Sequence, residues 1–370
     1  MTRTATAAVL REYGSPLRLE TVTVPELRDD EVLVRIHGVG ICHTDLTAAA
    51  GGVPLPTPAV LGHEGAGVVA EVGSAVTGLR VGDPVVLGFD SCRRCRNCVR
   101  GRHAYCTHFA RLNYGGVRGD GTTVLRDAHG APVHGNWFGQ SSFSSLVVAT
   151  ERNAVRLPAD VPVAIAGPLG CGFATGAGTV LHVLRPESGS SVVVFGLGAV
   201  GMAAVTAAHI AECADIIGVD PNPRRHGPAR RLGATEVISP QDEENLGRRL
   251  REITGGGADY VIESVGTEAV IRQALSSLTS PGVCATLGLR PGRNPVSIDQ
   301  THLLSGRTLT GVIEGGIDPH RFLPELAALW RDGRFPVDEL VQTFDFTKFD
   351  DALAAVTSGE VVKAVLTFDI

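Results

Sequence analysis

Cys92, Cys95, Cys98 and Cys106 fall in the spacing C-x2-C-x2-C-x7-C. Cysteines at this spacing let one short lobe wrap four thiolates around a tetrahedral zinc. Four thiolates fill the coordination sphere and leave no position for water or substrate, so the lobe reads as a structural site. A second set, Cys42, His63 and Cys171, is scattered along the chain. Two thiolates and one imidazole leave a fourth tetrahedral position open, as a catalytic zinc requires. The competing reading is a pair of disulfides, since the chain has eight cysteines. Residues Met1–Leu10 lack the long apolar core of a signal peptide and do not resemble a transit peptide, so a reducing cytoplasm is expected, where thiolates bind metal. Cys213 and Cys284 fall in the second, α/β-patterned half of the chain and read as small core residues, not ligands.

A chain of 370 residues with 44% hydrophobic content can bury large cores and is expected to form two domains. The formal net charge of -6 gives no general electrostatic reason to bind nucleic acid or an anionic membrane. Arg224, Arg225, Arg230 and Arg231 read as a solvated helix face, because no aromatic residues interleave with them. No apolar run is long enough to span a bilayer.

The first part of the chain carries short β-branched runs, 32–36 and 67–72, bounded by Gly, Pro or Asp, which suggests a compact β-barrel-like domain. From about Cys171 the pattern becomes apolar runs alternating with Ala-rich helical stretches, the mark of βαβ units and a doubly wound parallel sheet. Strands are expected at 192–195, 216–219, 260–262 and 283–287, with helices at 246–253 and 268–278. The tail, with helices near 322–330 and 350–356 and a strand at 361–368, is expected to rejoin the first domain. The expected boundaries are 1–172 for the β-rich domain, 173–313 for the α/β domain and 314–370 for the return.

After the strand at 192–195 comes Gly196-Leu197-Gly198-Ala199-Val200-Gly201, then the helical run 202–210. The glycines permit a tight turn, close approach of backbone to a pyrophosphate, and close helix–strand packing, while the helix start offers free N–H groups to the anion. Asp220 closes the next strand, where a carboxylate accepts hydrogen bonds from a ribose and repels a 2′-phosphate. The site therefore reads as one for NAD. Arg224 and Arg225 pull the other way, since a nearby arginine accommodates the phosphate of NADP. Gly227-Pro228 should disrupt the following helix unless it starts near Pro228.

Together these motifs resemble the zinc-dependent medium-chain alcohol dehydrogenase family over nearly the whole chain. Gly40-Ile41-Cys42-His43-Thr44-Asp45, Gly62-His63-Glu64-Gly65-Ala66-Gly67 and Gly170-Cys171-Gly172-Phe173-Ala174-Thr175-Gly176 resemble its three ligand segments. Ile313-Glu314-Gly315-Gly316 and the texture of 60–72 are most like the aryl (benzyl) alcohol dehydrogenase branch. The resemblance implies a GroES-like catalytic domain carrying the zinc lobe, a Rossmann cofactor domain, and two zinc ions per subunit. Cys2His with an open position is the known catalytic ligand set of alcohol dehydrogenase, and zinc there would make the alcohol acidic enough to release hydride to NAD.

The resemblance also distributes roles. Thr44 would begin a proton relay beside the substrate oxygen. Asp45 would orient the imidazole of His63. Glu64 would tune the metal electrostatically or exchange transiently as a ligand. His43 would sit beside the cofactor pyrophosphate, Lys363 would meet the cofactor phosphates, and Thr175 would pack the nicotinamide; Arg225, by its position alone, can accommodate a 2′-phosphate, lie along the adenosine or cover the helix start. Many relatives have a histidine five residues after the first cysteine ligand as the last relay station. Here that residue is Thr47, so the proton must leave through His43 or water.

Phe89, Trp137 and Phe138 are expected to wall the substrate channel, with Leu289 and Ile313 completing it by family position. Aromatic walls favour a flat apolar alcohol of benzyl type over a polyol. The stretch 112–142 resembles the insertion of the dimeric branch and predicts a homodimer formed through the strand at 308–313. The alternatives on the same scaffold are a thiol-adduct formaldehyde dehydrogenase, a biosynthetic reductase, and a non-catalytic nucleotide-binding protein.

Overall fold

A computed structural model describes residues 3–369. The chain forms two compact units, Met1–Cys171 with Ile317–Ile370, and Gly172–Gly316. The unit boundaries fall at 171 and 316, where the sequence suggested 172 and 313.

The first unit is built on two sheets. Its seven-stranded sheet runs Ala154–Arg156, Pro84–Leu87, Gly65–Val72, Glu31–Gly40, Lys363–Thr367 and Val341–Asp345, with Leu146–Thr150 also paired to Glu31–Gly40. The strand Glu31–Gly40 is buried at Val32, Leu33, Val34, Ile36 and Val39, so it lies inside the unit with partners on both edges. The tail does rejoin this unit. Lys363–Thr367 runs antiparallel to Glu31–Gly40, with Val365 opposite Gly40. That register brings Lys363 beside Ile41, immediately before the first candidate ligand.

In the second unit six strands form one parallel sheet: Ser191–Phe195, Asp215–Val219, Glu236–Ile238, Ala258–Glu263, Leu278–Thr286 and Arg307–Gly311. Counted along the unit, their order is 3-2-1-4-5-6, the doubly wound dinucleotide-binding arrangement. Ser191–Phe195 is buried at every position, and each of its valines contributes about 1.5–3 kcal/mol by leaving water.

The helix expected to reach 278 stops at Ser276, and Leu278 already begins a strand. Ser277 accepts the amide of Ala258, which ties the chain to the sheet one residue earlier than the apolar pattern indicated. Gly227-Pro228 lies in the first turn of the helix His226–Arg231, where a missing N–H costs nothing. No helix among the described residues is long and apolar enough to cross a membrane.

Candidate metal and dinucleotide sites

Three turns of the first unit converge on one point. Cys42 caps the helix His43–Ala49 just after the strand Glu31–Gly40. His63 follows Gly62, whose φ of +85° carries the chain into contact with Phe143; a Cβ there would meet the Phe143 amide at 2.4 Å. Cys171 ends the 3-10 turn Gly167–Gly170. The ligand atoms of Cys42, His63 and Cys171 all lie within 4.8 Å of one another, and His63 Nε2 is 3.1 Å from Cys171 Sγ.

The other imidazole nitrogen, Nδ1, is 2.7 Å from Asp45 Oδ1. Asp45 is fully buried and also accepts the Trp137 indole N–H at 2.8 Å and the Gly62 amide at 3.2 Å. A hydrogen bond with Cys171, aided by nearby His63, holds the Cys42 thiol well below its ordinary value despite burial. Burial opposes the charge of His63, yet Asp45 and Cys42 outweigh it and hold the imidazole well above its ordinary value. The pocket thus favours thiolate and positive charge at the same point, as a bound metal cation would supply.

Glu64 is fully buried, and burial raises its carboxyl above the ordinary range against the pull of Lys363. Lys363 is also buried; its Nζ donates to Glu64 Oε1 at 2.8 Å, to Glu64 Oε2 at 2.9 Å and to the Ile41 carbonyl at 3.1 Å. Burial opposes its charge, but Glu64 outweighs burial and holds the ammonium above its ordinary value. This corrects the expectation that Lys363 meets cofactor phosphates. The register of Lys363–Thr367 turns the side chain inward beneath the ligand cluster. His43 is exposed and Thr44 half-buried on the helix that Cys42 caps, while Thr47 is buried there.

In the lobe, Cys95 Sγ is 3.5 Å from Cys98 Sγ and 4.0 Å from Cys106 Sγ, and Cys92 Sγ is 4.0 Å from Cys98 Sγ. A tetrahedron of about 2.3 Å Zn–S bonds has edges of about 3.8 Å. The amides of Cys92, Cys95 and His108 point at these sulfurs from 3.3–3.4 Å. Hydrogen bonding from the Cys98 backbone and from Thr107 lowers Cys95 to about 5, while burial and its thiol neighbours push Cys98 up to about 12. Four thiols so close need a cation before all can ionise. All eight cysteines are free, so the disulfide reading fails.

The second unit carries the glycine turn. Gly196 takes φ +88°, a Cβ on Gly201 would lie 1.8 Å from the Gly196 carbonyl, and a Cβ on Gly198 would meet open space. The helix Ala199–Ile210 begins at Gly198 without a side-chain cap, leaving its N–H groups to an anion. Asp220 Oδ2 accepts the Leu197 amide at 2.7 Å and Arg225 Nη1 at 2.9 Å, and Oδ1 accepts the Asn222 amide at 2.8 Å. Arg225 Nε is buried without a partner. The bare helix start, the open space at Gly198 and this orphaned donor fit a dinucleotide phosphate–ribose unit. Thr175 is half-buried on the helix Gly172–Gly178 of the same unit.

The expected aromatic walls are interior. Phe89 is 2% exposed and packs on Phe109 at 5.8 Å; Trp137 is wholly buried; Phe138 is 3% exposed and stacks on His63, with centroids 4.3 Å apart and an interplanar angle of 21°. Phe138 on His63 and Trp137 on Asp45 brace the ligand cluster, while Phe89 packs in the interior against Phe109. Leu289 is exposed and Ile313 half-buried, both in the second unit. Gln140 escaped the sequence reading altogether. Its amide donates to the His63 carbonyl at 2.9 Å and accepts the Gly65 amide at 3.1 Å, across a sequence separation that no local pattern signals.

Residues 28–159 match the alcohol dehydrogenase GroES-like domain, and residues 199–331 match the zinc-binding dehydrogenase domain. The chain is 42% identical over 366 residues to a geraniol dehydrogenase from Castellaniella defragrans, covering 98% of each. An alcohol dehydrogenase zinc-binding domain protein from Burkholderia ambifaria superposes with a TM-score of 0.97 at 45% identity, covering 100% of both chains. Benzyl alcohol dehydrogenase from Acinetobacter calcoaceticus gives 0.95 at 36%, covering 99% of this chain and 100% of that one. The chain belongs to the zinc-dependent medium-chain alcohol dehydrogenase family. It is accordingly a zinc alcohol dehydrogenase-type oxidoreductase with a GroES-like unit and a Rossmann unit.

Proposed function

We propose that this chain transfers hydride between NAD and a primary alcohol/aldehyde pair whose carbinol carbon is attached to a planar sp2 carbon, benzyl-type alcohols first. The observation that carries the reading is the convergence of Cys42, His63 and Cys171, three ligands for a metal that takes four. Cys42, His63 and Cys171 would hold the catalytic zinc, and Cys92, Cys95, Cys98 and Cys106 the structural one, giving two per subunit. When bound, the catalytic zinc supplies Lewis acidity to the alcohol oxygen and NAD supplies the hydride acceptor.

Asp45 keeps Nδ1 of His63 as the donor, so Nε2 is free to ligate. Thr44 accepts the alcohol proton as its own hydroxyl proton passes to water near exposed His43, since position 47 holds a buried threonine and no imidazole to carry the proton outward. Glu64 and Lys363 place a paired charge beneath the cluster. Gly196, Gly198 and Gly201 let the backbone approach the pyrophosphate, Asp220 favours NAD by repelling a 2′-phosphate, and Thr175 packs the nicotinamide.

The substrate class rests on two relatives, named for geraniol and for benzyl alcohol; both alcohols carry the hydroxyl one carbon from an sp2 centre. The strand Arg307–Gly311 ends the parallel sheet, with one edge unpaired among the described residues, which supports a homodimer through that edge. Eight free cysteines support a cytoplasmic setting.

The test is initial-rate NAD reduction by the zinc-replete protein with benzyl alcohol, geraniol, ethanol and a polyol, repeated with NADP. The expected order in kcat/KM places benzyl alcohol and geraniol first, with NAD preferred. A polyol turned over as well as benzyl alcohol would refute the substrate class. Turnover confined to thiol-adduct substrates would favour the formaldehyde dehydrogenase alternative.

A further inference from the structure

The loop 136–142 is strained where it meets the candidate metal cluster. Asn136, Phe138 and Ser141 take φ of 61°, 52° and 62°, at a cost of order 1–3 kcal/mol each for residues other than glycine. Strain of this kind persists only where the surroundings hold it, and here they include His63. The loop grips that residue in three ways. Phe138 stacks on its ring, Gln140 bonds its carbonyl, and Trp137 Nε1 donates at 2.8 Å to Asp45 Oδ1, the same oxygen that faces His63 Nδ1. Trp137 is wholly buried, so its N–H has to find a partner in the interior, and Asp45 is that partner.

We propose that Trp137 is a positioning residue that locks Asp45 and, through it, the orientation and tautomer of His63. The inference rests on the zinc reading of Cys42, His63 and Cys171 and adds a residue to it. The indole donor removes rotational freedom from the Asp45 carboxylate, whose contacts besides Trp137 and His63 are the backbone amides of Gly62 and Cys42 at 3.2 and 3.4 Å. Trp137→Phe keeps an aromatic ring in place and loses that restraint.

Chelator-driven zinc release tests this, with cobalt(II) substitution as a second readout. Trp137→Phe should lose zinc from the Cys42/His63/Cys171 cluster about 10–100-fold faster than the unsubstituted protein. Its cobalt absorption bands should shift, while zinc in the four-cysteine lobe leaves at the unchanged rate. Release at the unchanged rate with unmoved cobalt bands would overturn the proposal.

A measurement on the unsubstituted chain keeps the proposal open to refutation if the variant misfolds. The chain has two tryptophans, and Trp330 donates to Asp338 instead. Removal of the cluster's zinc should move the indole N–H resonance of Trp137 and leave that of Trp330 in place; an unmoved Trp137 signal overturns the coupling. Zinc content of Cys42→Ser separates the two layers of inference. Equal content in that variant and the unsubstituted chain defeats the zinc reading itself, whereas one fewer zinc with a silent Trp137→Phe defeats only the role of Trp137.

Discussion

Lys363→Met isolates the buried ion pair beneath the ligand cluster. The ammonium is 3% exposed and the Glu64 carboxylate fully buried, and two bonds of 2.8 and 2.9 Å join them. Removing one partner of such a pair leaves the other charged in the interior, which costs about 3–5 kcal/mol. Glu64 has little room to escape, because its Oε2 lies 2.0 Å from where a Cβ on Gly40 would stand. At about 2–4 °C per kcal/mol for a unit of this size, the melting temperature should fall by roughly 6–20 °C. Replacing both ends by apolar residues of similar volume should recover most of the loss, because neither charge is then stranded. The assay is thermal and urea unfolding of Lys363→Met, Glu64→Met and the double variant, closed as a double-mutant cycle. Losses that simply add would refute the argument, since they would mean that the two groups do not compensate one another's burial.

Cys106→Ser should reduce zinc content by one per chain and lower the melting temperature, with the Cys42/His63/Cys171 zinc retained; metal analysis with calorimetry checks this. Gly201→Ala places a methyl 1.8 Å from the Gly196 carbonyl, so helix and strand must separate; NAD affinity measured by fluorescence titration should fall at least tenfold while zinc content holds. Asp220→Ser should improve NADP relative to NAD, read as a ratio of kcat/KM values. Burial holds the His320 imidazole below its ordinary value, so the unfolded chain binds more protons and stability falls as pH drops through about 6.5; His320→Asn should flatten the urea-unfolding profile between pH 5 and 7.

The elements that carry local chemistry were legible in the sequence. The glycine turn between Ser191–Phe195 and Ala199–Ile210, the cysteine lobe and the helix Leu246–Ile253 are each set by residues close together in the chain, where spacing alone specifies geometry. Long-range pairing was not legible. Lys363 is 299 residues from Glu64, and the strand register that joins them depends on every other strand in the sheet. Trp137 and Phe138 were recognised as aromatic neighbours of the site, but an apolar ring looks the same in sequence whether it lines a channel or supports a ligand. What decides is the strained backbone of 136–141, which no composition reveals.

The insertion of Lys363–Thr367 between Glu31–Gly40 and Val341–Asp345 has a consequence for biosynthesis. Gly172–Gly316 is a self-contained unit and leaves the ribosome before that strand is made. The nucleotide-binding half can therefore take shape on the nascent chain while Cys42, His63 and Cys171, all already translated, still lack the lysine that compensates Glu64. On the proposed zinc reading, a ribosome-stalled chain ending before 363 should therefore carry zinc in its cysteine lobe and bind dinucleotide, yet fail to retain metal at Cys42, His63 and Cys171.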